Sequence, residues 1–128
     1  MNNNRFTRKI VSIIFILFQF SFLLSSEKYI FERLSEKEGL SSNGVTCVYQ
    51  DHMGFIWIGT TNGLNLYTGE NIFHYKYDIS DTRSISNNFI FYISEDADSN
   101  LWISTSHGLN RYMREYDHFE RYFSRKSR

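Results

Sequence analysis

The chain has 128 residues, 41% of them apolar and 18% aromatic, enough to fill one modest core. Its zero formal charge is uneven: Arg5, Arg8 and Lys9 precede any acid, and after residue 26 eleven basic residues face fourteen acidic ones. No dense basic stripe interleaves with the aromatics, which excludes a nucleic-acid footprint and leaves Arg125, Lys126 and Arg128 as a solvated end.

Residues 10–24 are nearly all Ile, Leu, Val and Phe, broken by Ser12, Gln19 and Ser21 and followed by Ser25 and Ser26. A basic flank, a short apolar run and then small residues make the pattern of a secretory signal peptide over 1–26. The run is shorter than the roughly 20 residues that cross a bilayer comfortably. An uncleaved inner-membrane anchor is the alternative, and it would be the only membrane contact. Either way Glu27 onward is exported, to the periplasm or beyond. The single cysteine, Cys47, cannot close an internal disulfide. Lying between Val45 and Val48 in an apolar run, it reads as a buried core thiol.

After a lead-in over 27–38, the chain repeats itself. The stretch GFIWIGTTNGLNLY (54–67) aligns with SNLWISTSHGLNRY (99–112) at seven of fourteen positions. Trp57 and Trp102 lie 45 positions apart, as do Gly63 and Gly108, and Tyr67 and Tyr112. Upstream the register holds: Leu40-Ser41-Ser42-Asn43 meets Ile85-Ser86-Asn87-Asn88, Val45 meets Ile90, Val48 meets Ile93, and Asp51 meets Asp96. Downstream it continues after a one-residue insertion. The copies are residues 39–83 and 84–128.

Each copy is punctuated into four strands. In the first, residues 45–50 end at Asp51-His52-Met53-Gly54, residues 55–60 end at Thr61-Asn62-Gly63, and residues 64–67 end at Thr68-Gly69-Glu70-Asn71. Residues 72–77 are the fourth. The second copy has turns at 96–99, 106–108 and 113–116. Short runs with hairpin turns and no helical period predict antiparallel sheet. In the second strand Ile56, Ile58 and Thr60 share one face, and Phe55, Trp57 and Gly59 the other. Both faces carry bulk apolar groups, so the sheet is expected to be covered on both sides. Gly59 and Ser104, small beside a large Trp, leave room for a neighbouring sheet.

Four-stranded sheets at this period, stacked face to face, describe an all-β β-propeller. The run GLSSNGVTCVYQDHMGFIWIGTTNGLNLY resembles the blade of two-component regulator propeller repeats, with Asp, Trp, Thr, Gly, Leu and Tyr in register. The second copy departs at Ser99, Asn100 and Ser104. The resemblance covers residues 29–128 and implies that 29–34 supplies an outer strand closing the ring. Two blades cannot form a ring of about four to eight. The partners expected are therefore remaining blades, on a longer or truncated product, or another copy of the chain.

Catalytic constellations are weak. Asp96-x-Asp98-x-Asn100 mimics the start of a calcium loop, but Leu101 stands where that loop needs Gly and His107 where it needs Glu. His52, His74, His107 and His118 lack metal-ligand spacing. Asp51 and Asp96 recur at matching turns, which favours a turn role over paired-carboxylate glycoside chemistry. No Gly-x-Ser-x-Gly elbow occurs. No cofactor, metal or catalytic residue is expected, and most aromatics read as core. The candidate ligand contacts are the non-repeating loops on one rim: residues 78–86, Asn62 and His107. The resemblance implies the exported sensor half of a hybrid two-component regulator, recognising an oligosaccharide and relaying inward to a kinase that this chain lacks. The alternatives are part of a propeller lyase or hydrolase, and a vestigial product.

Overall fold

The computed structural model describes residues 33–124. The expected signal segment lies outside them, as does nearly all of the proposed closing strand; Arg33 and Leu34 carry no strand. Among the described residues no helix is long and apolar enough to cross a membrane. The chain enters through a 3-10 turn, Glu36–Glu38, which the sequence reading did not anticipate. Ser35 caps it, its hydroxyl accepting from Lys37 N at 3.2 Å.

Eight strands follow: β1 (Val45–Gln50), β2 (Ile56–Thr60), β3 (Gly63–Tyr67), β4 (Ile72–Tyr75), β5 (Ile90–Glu95), β6 (Leu101–Thr105), β7 (Gly108–Met113) and β8 (His118–Tyr122). They form two sheets, ordered β1-β2-β3-β4 and β5-β6-β7-β8. Every neighbouring pair is antiparallel. The predicted bounds shift slightly, for local reasons. Phe55 belongs to the turn because its N–H is held by Asp51 Oδ1 at 3.0 Å. β3 starts one residue early at Gly63, whose φ of 131° opens the turn. β4 stops at Tyr75, and Tyr77 N instead donates to Asn88 Oδ1 at 2.7 Å. Both sheets carry a bulge at the same place, between Val45 and Cys47 and between Ile90 and Tyr92.

The sheets pack by opposite faces. The Trp57 face of the first meets the Leu101 and Ile103 face of the second. The core comprises Trp57 and Leu64 on one side and Ile85, Ile90, Ile93, Leu101, Ile103, Tyr112 and Phe119 on the other. The indole sits edge-on to Tyr112 at 4.8 Å and stacks on Tyr75 at 5.8 Å. Close approach needs Gly59: a Cβ there would lie 2.5 Å from Cys47 Sγ and 2.7 Å from Ile90 Cγ2. Cys47 is half-buried rather than the fully buried thiol expected. It packs against the core, but β1 is an edge strand whose outer side has no described neighbour. Burial still pushes its thiol above the usual value.

Comparison of equivalent residues measures what one neighbour covers. Val45 and Val48 are 45% and 61% exposed, whereas Ile90 and Ile93 are 0% and 2%. On the opposite faces Leu64 is 0% exposed and Leu109 40%. In the first sheet β2 is buried on both faces, the outer one beneath the lead-in, where Ser41 bonds to Asn65 and Thr60, while β1 stays open; in the second sheet the Leu109 face is open.

Candidate functional site

Hairpin connectivity brings the start of β1, the β2–β3 turn and the end of β4 to one rim. Asn62 and His107 therefore sit beside the connection between the sheets. That connection is tied in from both sides: Gly63 N donates to Asn88 O at 2.7 Å, and Ser106 N to Phe89 O at 3.1 Å. Ser106 Oγ adds a bond to Asn87 Oδ1 at 2.7 Å. The 78–84 part of the predicted loop lines the rim. Ile85 and Ser86 do not: they turn inward and are buried, with Ser86 N donating to Asn110 Oδ1 at 2.8 Å.

Asp78 and Asp81 spend their carboxylates on the loop itself. Asp78 Oδ1 accepts from the Ser80 hydroxyl at 2.6 Å and Ser80 N at 2.8 Å, and Asp81 Oδ1 from Arg83 N at 2.9 Å, so both sit below the usual carboxylate range. Arg121 clamps the loop by donating to Ser84 O at 2.6 Å and Asp81 O at 2.8 Å, and it lies 5.3 Å from the Tyr77 ring. Exposed aromatics complete the rim. Phe123 stands 5.5 Å from the His107 ring, and Phe89 is 5.1 Å from Phe91. An open groove of about 510 Å³ continues beside Thr82, Arg83 and the outer edge of β8.

Asn62, His107 and residues 78–84 lie on one rim. Asn88, Arg121, Phe89 and Phe123, which no sequence motif singles out, stand beside them. Asn88 was legible as the repeat partner of Asn43, whereas Arg121 has no repeated signal. The rim offers amide, imidazole and hydroxyl groups beside apolar rings, with the charged Asp81, Arg83 and Arg121 next to them.

The opposite rim is structural. Asp51 Oδ1 accepts from Met53 N and Phe55 N, each at 3.0 Å, while Oδ2 accepts from Trp57 Nε1 at 2.9 Å and Arg114 Nη1 at 2.9 Å. Burial alone would raise its pKa, but the Trp57 and Arg114 donors outweigh that and hold it low. Arg114 Nη2 also donates to Glu95 Oε1 at 2.9 Å, and His52 Nδ1 lies 2.6 Å from the same oxygen. The clasp joins the two sheets. In the second copy Asp96 Oδ2 accepts from Trp102 Nε1 at 2.8 Å and Asn100 Nδ2 at 3.0 Å. These donors, the indole first, pull its pKa from 3.8 to about 2. Both acids serve turns, as the repetition predicts. The calcium-like Asp96–Asn100 stretch has its first carboxylate filled by N–H donors.

Two four-stranded meanders, stacked face to back around a shared Trp–Asp turn, are consecutive blades of a β-propeller. Residues 39–62 and 84–107 both match the family model of the two component regulator propeller. The two blades are two component regulator propeller repeats, as the sequence motifs imply. Histidine kinase P4 of Formosa agariphila is 38% identical over 74 residues, spanning 54% of this chain. The extracellular domain of a hybrid two component system from B. thetaiotaomicron has a TM-score of 0.64 and 34% identity over 74% of this chain. The extracellular domain of a one component system from the same organism has a TM-score of 0.53 and 29% identity over 62% of this chain. The chain spans 5% of the kinase's length and 14% and 11% of the two solved chains.

Proposed function

We propose that residues 39–83 and 84–128 are two blades of an exported sensor propeller, led out of the cytoplasm by residues 1–26. The ligand is an oligosaccharide, and occupancy is relayed to a kinase carried outside this chain. The observation supporting this most directly is the pair of regulator-propeller blades, whose solved relatives are extracellular domains of two- and one-component systems. The rim supports this ligand class, since His107, Phe123, Asn62 and the Arg121-clamped loop set hydrogen-bonding groups beside apolar rings.

The test is an amide NMR titration of the chain with a panel of neutral and acidic oligosaccharides. Saturable shifts clustered on Asn62, residues 78–84 and His107, weakened at least tenfold by His107→Ala, are the expected result. Shifts confined to the Asp51–Arg114 rim would place the ligand elsewhere, and no shift with any glycan would remove the oligosaccharide reading.

A further inference from the structure

The clasp that joins the two blades is one acceptor short. Arg114 Nη1 donates to Asp51 Oδ2 and Nη2 to Glu95 Oε1, each at 2.9 Å, and both carboxylates are withdrawn from solvent. The third nitrogen, Nε, is buried, and among the described residues it has no hydrogen-bond partner. A buried N–H in that state costs free energy until something accepts from it.

Met53 stands beside this guanidinium. Its Sδ lies 3.9 Å from Arg114 Nη1, and a thioether sulfur is only a weak acceptor. The residue is 57% exposed, yet its backbone is fixed, because Met53 N donates to the Asp51 carboxylate at 3.0 Å. A reagent in solution therefore reaches the side chain while the turn keeps it next to the arginine. The second blade shows that this turn position accommodates an oxygen acceptor. Asp98 stands there, its N–H on Asp96 Oδ1 at 3.0 Å just as the Met53 N–H is on Asp51.

We propose that Met53 is a modification site for hydroperoxides, and that its sulfoxide braces the joint between the blades. A sulfur lone pair attacks the terminal peroxide oxygen, the O–O bond breaks as the S–O bond forms, and the sulfur gives up two electrons to the peroxide. The departing oxygen takes the proton of the transferred one and leaves as water, or as an alcohol from an organic hydroperoxide. The sulfoxide oxygen is a far better acceptor than the sulfur it caps. Rotation at the exposed end of the side chain turns it toward the guanidinium, which still has an N–H to give. Little apolar burial is lost, since the side chain is exposed from the start. The proposal is independent of the ligand reading, because the clasp lies on the opposite rim.

The test treats the chain with hydrogen peroxide and locates the added oxygen by peptide mass. Met53 should oxidise ahead of Met113, which is half-buried. The Arg114 Nε–H resonance in NMR spectra should then move, and the folding equilibrium constant from urea unfolding should rise roughly fivefold, the effect of one added hydrogen bond. Met53→Leu should abolish both responses to peroxide. Met53→Gln, which carries a neutral oxygen acceptor of similar reach, should reproduce the stabilisation with no oxidant present. Oxidation of Met113 before Met53 would overturn the proposal, as would an Arg114 resonance that stays in place once Met53 is oxidised. So would unchanged or lowered stability on oxidation, or a response to peroxide that survives in Met53→Leu.

Discussion

Leu64 and Leu109 occupy the same position of successive blades, so one substitution at both sites weighs the effect of a neighbouring sheet. Leu64 is 0% exposed behind the second blade, and Leu109 is 40% exposed. Truncating a fully buried leucine to alanine loses its transfer free energy and leaves a cavity, together about 3 kcal/mol. Leu109 has only part of that transfer energy to lose, and a void on an open face fills with water, so its cost is about 1 kcal/mol. The difference of about 2 kcal/mol corresponds to a melting-temperature gap of roughly 8–16 °C for a body of this size. The assay is thermal and urea unfolding followed by tryptophan fluorescence, in protein dilute enough to hold one chain mass. Leu64→Ala should melt well below Leu109→Ala, with the urea slope unchanged. Equal losses in dilute protein would mean that the outer face of the second blade is as covered as the first, and the stacking argument would fall.

Other consequences test the joint between the blades. Arg114→Met strands the buried Asp51 carboxylate and Glu95 together and should cost about 2 kcal/mol in urea unfolding; Arg114→Lys should recover only part, because an ammonium lacks the fork that reaches both acids. Gly59→Ala places a methyl against Cys47 and Ile90 and should cost about 1–3 kcal/mol, whereas Ser104→Ala at the matching open position should be nearly silent in melting experiments. Asp51, Glu95 and Asp96 all have folded pKa values below their unfolded ones, with Asp96 moved from 3.8 to about 2. Their stabilisation is therefore complete above the ordinary carboxylate range and is lost as the pH falls toward about 2. The urea midpoint should drop steadily from about pH 5 downward, and less steeply in Asp96→Asn; a midpoint that holds or rises on acidification would contradict the proposed donors.

The fold was legible because it is written twice. Repetition of Asp, Trp, Gly and Tyr at one interval set the strand count, the turns and the blade type, and period-two alternation assigned Ile58 and Trp57 to opposite faces. Local chemistry sufficed there: an Asp two residues before the N–H that it accepts, or a glycine at positive φ, needs no distant partner. Residues without a repeated counterpart were not legible in this way. Arg114 meets Asp51 across 63 positions, and Arg121 holds a loop nearly 40 positions upstream. Neither spacing leaves a periodic trace. Tertiary packing also decided which of two like sheets buries which face. Identical alternation in Leu64 and Leu109 gives a sealed core in one blade and an open flank in the other, because burial belongs to the neighbour and not to the strand.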